Sequence, residues 1–407
     1  MATNIKEFIL NIKSNEILTY ATAFFLCSFL FGIFLNTVGL TVFIAFSIYV
    51  YSNSKSFLRF NNKLFWIIMS YGFFQITLIF AFSNHIKNSF SELLAFLPFL
   101  LIVISFFLNN KKLTSSLFPK LEFAFIISCL ISAIVNLCNG IYEGVYLSEN
   151  VNYYFLSYDY LGAVFGIQAY YLSLFYLIGS LFIIKHIKII KYSYLCLLVL
   201  LISIFFLASR MTIFLTFIII PIYLYKTVTN KKRLYTFVLI GLIFFISALL
   251  INPILSERIS TVNSKSTNYS GMDLRSKIWE NSYEVFKESP LIGHGIHNTN
   301  KKLNEQYKRK RFRAAIRNNY HSHNQFIQTS LDSGILGLLL LLAIIANTAY
   351  NLFQNRKITY LLAFACIVGT MLTESIFHRQ WGLFLFAFFV GISFIKPLNA
   401  NYINQIR

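Results

Sequence analysis

Charge is what this 407-residue chain has least of: only 12% of its residues are Asp, Glu, Lys or Arg, and 15 are acidic. Soluble domains carry about 25% charged residues, so a water-soluble fold is excluded. Proline is scarce, with six residues, which leaves long stretches free of helix breakers. The five cysteines, Cys27, Cys129, Cys138, Cys196 and Cys366, all sit in apolar runs without a CxxC pair, so neither a disulfide frame nor a zinc site is indicated. The polar opening, Met1 to Asn15, and the lack of a small-residue cleavage site predict that the first apolar run is retained as a helix.

What the chain has is hydrophobic length and aromatic rings. It is 57% hydrophobic, with 45 Phe and 25 Tyr. The apolar runs are near twenty residues, the length of a membrane-crossing helix, and not the alternating ten-residue segments of an outer-membrane barrel. They predict an all-α integral membrane protein of about twelve spans, at 17-36, 37-53, 64-83, 91-109, 121-142, 160-184, 192-209, 211-226, 233-251, 332-353, 358-377 and 380-396. Three regions follow: spans one to nine within 1-251, a large loop at 252-331, and spans ten to twelve with a polar tail in 332-407.

The formal net charge of +20 would suggest nucleic acid in a soluble protein. Its distribution argues instead for a membrane, because short cytoplasmic loops concentrate Lys and Arg. With a cytoplasmic N-terminus, inward segments hold 19 Lys and Arg, whereas the short outward connections hold only Lys87, Arg210 and Arg379. The other 13 lie in the long loop, where the rule does not apply. Both termini are therefore expected in the cytoplasm and the loop on the opposite face. Within it, Asp273 is expected to cap a helix ending before Pro290, with Leu274, Ile278, Ser282 and Val285/Phe286 along a stripe suited to a membrane surface. Leu291-Ile292-Gly293-His294-Gly295-Ile296 has the glycines of a tight turn.

Five constellations could carry chemistry. The first is Tyr320-His321-Ser322-His323-Asn324, followed after nine residues by Gly334-Ile335-Leu336-Gly337. Its histidines are either water-bound interfacial groups, a metal pair, or a general base for a hydroxyl nucleophile; few carboxylates are nearby to complete a hard-cation site. The second is Ser209-Arg210, where arginine either snorkels to headgroups or pairs with phosphate. The third is Arg275 in the first turn of the loop helix, a position that opposes the helix dipole unless an anion is bound. The fourth is the basic run Lys308, Arg309, Lys310, Arg311 and Arg313 with Arg317, either a solvated face or a surface for anionic lipid. The fifth is Glu374-Ser375-Ile376-Phe377-His378-Arg379, where Glu374 is expected inside span eleven, paired with an arginine or lining a polar cavity.

Taken in order over residues 190 to 395, Ser209-Arg210, Arg275…Trp279…Phe286…Pro290, and His323-Asn324 with its spaced Gly334-Ile335-Leu336-Gly337 resemble the O-antigen ligase family of polytopic glycosyltransferases. The resemblance implies a GT-C-type architecture with one large periplasmic loop, in a Gram-negative inner membrane. It implies transfer of O-antigen glycan from undecaprenyl diphosphate to a sugar hydroxyl of lipid A-core, with inversion and without a metal or cofactor. Arg210 and Arg275 would then hold the diphosphate and His323 would be the base. His321, Asn324, Glu374, Arg379, Lys308, Arg309, Arg311 and Arg313 would be supporting residues, with His294, His297 and His378 also within possible reach. The partners expected are the two glycolipids and membrane lipid, and no nucleic acid. Related O-antigen polymerases share parts of the pattern but more often have two sizeable outer loops. A lipid-linked oligosaccharide flippase would show repeated halves and broken midplane helices, and neither is evident here.

Overall fold

The computed structural model describes residues 2–53, 62–82, 86–113, 117–147, 153–228, 232, 235, 239 and 272–396, and among them there are helices and no strand. The helices are α1 (Ala2–Ser28), α2 (Gly32–Ser52), α3 (Lys63–Phe82), α4 (Ile86–Leu108), α5 (Leu117–Ile141), α6 (Ala169–Lys185), α7 (Ser193–Phe206) and α8 (Arg210–Thr227). After the loop they continue as α9 (Met272–Glu288), α10 (Ile296–Arg309), α11 (Arg313–Asn318), α12 (Gln325–Gln354), α13 (Ile358–Met371) and α14 (Gln380–Ile392). Short turns of π and 3-10 helix fill parts of 142–165 and 376–378.

Six of the described helical stretches are long and apolar enough to cross a membrane, and α6, α7, α13 and α14 are apolar but shorter, at 13 to 17 residues. The chain is thus an integral membrane helical protein. Large apolar side chains such as Phe34, Phe73 and Trp66 stand more than half exposed, an arrangement that water would penalise and lipid accepts. Buried on nearly every side are α6 and α14, as a helix that is hydrophobic all round must be.

Helices overlie eleven of the twelve expected spans, and the span expected at 233-251 lies largely outside the described residues. Three boundaries differ. The first two spans part at Phe29–Phe31, not at Asn36-Thr37, because Gly32 takes φ +91 and admits the turn there. The helix expected from 160 starts at Ala169, after an irregular stretch whose Asp159 accepts the Ala169 N–H at 2.9 Å. The helix expected from 332 starts at Gln325, with Asn324 as its cap.

That last helix is broken. Ser333 and Gly334 leave helical geometry, Gly334 with φ +65 and ψ −167. The N–H groups of Ile335 and Leu336, freed by the break, donate to the carbonyls of Pro290 and Leu291 at 2.8 and 3.4 Å. On the N-terminal side of the break, His294 and Gly295 donate to the carbonyls of Leu331 and Asp332 at 2.8 and 2.9 Å. Backbone polar groups buried away from water need such partners, and the 290–295 turn supplies them. It can approach because Gly293 and Gly334 lack Cβ atoms, which would stand 2.2 to 2.6 Å from the facing backbone.

The stripe on α9 does not lie on a membrane. Ile278, Ser282 and Val285 are buried, and the apolar ones pack with Leu303, Tyr307, Phe312, Ala315 and Leu331 in a separate small core. Burying each large apolar side chain there stabilises the fold by roughly 1.5–3 kcal/mol, so α9, α10 and α11 form a folded cap on one end of the bundle. Asp273 falls within α9, which is described from Met272, and the capping expected of its side chain lies outside what is described. Gly334→Ala is expected to destabilise the protein by at least about 3 kcal/mol, through a glycine-only backbone conformation and a backbone clash, read as a lowered thermal midpoint in detergent.

Candidate active site

Where the cap meets the bundle there is a cavity of about 220 Å³ whose lining includes Arg210, Arg275, His323, Glu374, Tyr158 and Tyr170. Four separate segments deliver Arg210, Arg275, His323 and Glu374. Arg210 is the first residue of α8, and Ser209 and Met211 also reach the lining, so the N-terminus of an 18-residue helix opens on the cavity. Such a terminus carries positive partial charge and binds anions. Arg275 comes from the first turn of α9, and His323 from the strap between α11 and α12. Glu374 lies in the turn after α13 and not within a span as expected, because that helix ends at Met371.

Glu374 joins two of the others. Its Oε1 accepts from Arg275 Nη2 at 3.1 Å, and its Oε2 lies 3.2 Å from His323 Nδ1. A carboxylate on Nδ1 fixes ring orientation and favours the tautomer with its proton on that nitrogen. Nε2 is then the ring nitrogen left to accept a proton from a ligand.

The strap is held in a strained form. His323 has φ +48, a left-handed conformation that costs a non-glycine residue about 1–3 kcal/mol and is found at functional sites. Several bonds offset it. The His323 N–H donates to His321 Nδ1 at 3.2 Å, and Trp279 Nε1 donates to the Ser322 carbonyl at 2.9 Å. Ser322 Oγ donates to the Asn324 carbonyl at 2.9 Å. Asn324 itself accepts the N–H groups of Phe326 and Ile327 and donates to the Leu372 carbonyl at 3.0 Å. Asn324 is therefore a helix cap that carries the preceding histidine to the turn holding Glu374.

The other expected residues are placed as follows. His321 stands beside His323, ring centroids 4.3 Å apart, but does not line this cavity. Burial, reinforced by His323, His378 and Arg379, pushes its pKa down to about 3, so it stays neutral and its Nδ1 is used as an acceptor. His378, 5.3 Å from His321, is pushed down to about 4, first by burial. His294 is tied to the Val285 carbonyl and His297 to Glu92. Arg379 is exposed and outside the lining. Lys308, Arg309, Arg311 and Arg313 are exposed on the cap, with Arg309 and Lys302 paired to Glu288 at 3.4 and 3.1 Å. None of that basic run lines the cavity. Tyr158 and Tyr170 had no sequence signal, being two aromatics among many. Among the described residues, no three His, Cys, Asp or Glu side chains are grouped to hold a metal ion.

Residues 195–342 match the family model described as O-Antigen ligase. Over that segment the chain is similar to the O-antigen ligase/polymerase family. It runs from α7 into α12 and contains Arg210, Arg275, His323 and the broken-helix glycines; Glu374 lies beyond it. A Haemophilus influenzae protein named only as uncharacterized is 27% identical over 157 residues, 36% of this chain and 39% of that relative. The match thus spans well under half of the relative's length.

His321 and His378 stay neutral when folded but gain protons near pH 6.5 when unfolded. Their contribution to stability is complete above that pH and is lost as pH falls toward 3 to 4. In a pH series of thermal unfolding, His321→Gln is expected to flatten the fall in midpoint between about pH 6.5 and 4; an unchanged slope would contradict that assignment.

Proposed function

We propose that the chain is an O-antigen ligase: a membrane glycosyltransferase that moves a glycan from undecaprenyl diphosphate onto a sugar hydroxyl of lipid A-core. The observation that carries this reading is the meeting of Arg210, Arg275, His323 and Glu374 in one cavity from four segments of the chain. Two guanidiniums and a helix N-terminus suit a diphosphate, since planar arginine pairs bidentately with phosphate oxygens. One of them, Arg275, is already oriented by Glu374.

In the reaction proposed, His323 Nε2 takes the proton of the acceptor hydroxyl, with Glu374 stabilising the imidazolium that forms. The oxygen attacks the anomeric carbon, and the bond from that carbon to the diphosphate oxygen breaks on the opposite face, inverting the centre. The bond electrons leave with the diphosphate, whose added charge falls on Arg210, Arg275 and the first amides of α8. Charge stabilisation supplied by fixed cations removes the need for a divalent metal in this scheme. Both substrates are amphiphiles, and a cavity at the end of the bundle, under the cap, is where headgroups of two lipids can meet. The orientation inferred from Lys and Arg supports a reading in which that end faces the periplasm of a Gram-negative inner membrane, above a twelve-span GT-C-type bundle.

His323→Ala is expected to lower transfer about 10²–10⁴-fold. Arg210→Ala or Arg275→Ala is expected to lower it about 10²–10³-fold. Glu374→Gln should fall between these variants and the wild type, all at normal protein levels. Each variant would be returned to a host lacking the gene, with lipopolysaccharide compared against the carrier-linked pool. Bare lipid A-core with long glycan retained on the carrier is the expected phenotype. Core bearing a single repeat would indicate polymerase activity, and an unchanged ladder would overturn the reading.

A further inference from the structure

A second cavity, also of about 220 Å³, lies on the far side of the strap. His378 lines it and His323 lines the first cavity, and His321 stands between those two rings, with centroids 5.3 and 4.3 Å away. Its polar lining comes from Gln75 of α3, Glu92 of α4, and Gln325, Thr329 and Asp332 of α12. Tyr71, Phe96 and Phe377 supply aromatic surface.

Two acceptor atoms in this lining lack protein partners. Gln75 is 3% exposed; its Nε2 donates to Ser333 Oγ at 3.0 Å, while its Oε1 is buried and unbonded. Glu92 Oε1 faces His297 Nδ1 at 3.1 Å, while Oε2 is buried and unbonded. A buried acceptor left without a donor costs about 1–3 kcal/mol, so the cavity is built for something that brings donors. Asp332 and Glu92 stand in the lining as carboxyl groups, which the carboxylate of an acidic sugar would face at close range. The volume is below the roughly 300–1,000 Å³ of a drug-sized site and equals about seven waters at liquid density, close to the size of one sugar ring.

We propose that this second cavity is a subsite for a single uncharged sugar residue of a glycan substrate, which donates hydroxyl or amide hydrogens to Gln75 Oε1 and Glu92 Oε2. The sugar's C–H face packs on Tyr71, Phe96 or Phe377. The assignment of the ligand to a glycan rests on the transferase reading of the first cavity. It separates two tasks. The arginine cavity selects for diphosphate, and the acceptor-rich cavity selects for neutral hydroxyls and against acidic sugars.

The test is saturation-transfer NMR on the full chain in lipid nanodiscs, with methyl glucoside, methyl galactoside, methyl N-acetylglucosaminide and methyl glucuronide as probes. At least one neutral glycoside is expected to receive saturation and the glucuronide none. Gln75→Leu and Glu92→Gln should each weaken the neutral signal about 10-fold, the equivalent of one buried hydrogen bond. His323→Ala and Arg275→Ala should leave it intact. Thermal midpoints of the variants within a few degrees of wild type establish that they fold. No neutral signal in the wild type, an equal signal from the glucuronide, or neutral binding undiminished in both folded variants would overturn the subsite. The transfer assay fails or succeeds separately: loss of transfer in His323→Ala without any glycoside signal would leave the first cavity's reading standing and remove this one.

Discussion

The break in α12 at Ser333 and Gly334 leaves backbone groups that the helix can no longer satisfy, and the 290–295 turn satisfies them. Buried away from water, each such group would cost the equivalent of a lost hydrogen bond if left unpaired, so the turn is drawn onto the break and fixed there. With it comes the whole cap. The turn joins the end of α9 at Glu288 to the start of α10 at Ile296, and the small core of Ile278, Val285, Leu303 and Tyr307 makes those helices one body. A clasp of backbone bonds thus sets where Arg275 stands relative to the bundle, and Asn324, capping the same broken helix, sets where His323 stands.

The electrostatics of the site follow from that placement. Arg275 and His323 would be two separate polar groups on a cap, but Glu374 spans them from the turn after α13. One carboxylate therefore links the cap to the bundle and Arg275, the proposed anion contact, to the candidate base. An arginine shared in this way keeps part of its donor set for a ligand, because guanidinium has five N–H donors in a fixed fork. Arg210 approaches from the other wall with the amide dipoles of α8 behind it. The cavity thus gathers two guanidiniums and a helix N-terminus, with one carboxylate shared between Arg275 and His323.

Much of this was legible because membrane residence makes polar side chains costly and so conspicuous. Ser209-Arg210 between two apolar runs, Glu374 near the end of another, and the His-Asn pair ahead of spaced glycines stood out for that reason, and they do come together. The separation of 323 from 334 also reads physically once the helix is seen: Asn324 caps it and Gly334 breaks it. Other features were not legible. The apolar stripe of α9 shows that one face is buried but not against what, and it packs on α10 and α11, not on a membrane. Tyr158 arrives from an irregular stretch with no periodicity, and Tyr170 from the first turn of α6, where it is one aromatic among many. The basic run was open between a solvated face and a surface for anionic lipid; it lies exposed on the cap, with Arg309 paired to Glu288, and none of it reaches the cavity.

The most direct test is transfer by the purified chain in nanodiscs, using polyprenyl-diphosphate glycan and lipid A-core as substrates and NMR of the product's anomeric proton. The account predicts a product of inverted configuration, formed equally with a chelator present, and absent with His323→Ala although that variant still binds the carrier. Transfer retained by His323→Ala, or a product of retained configuration, would contradict it.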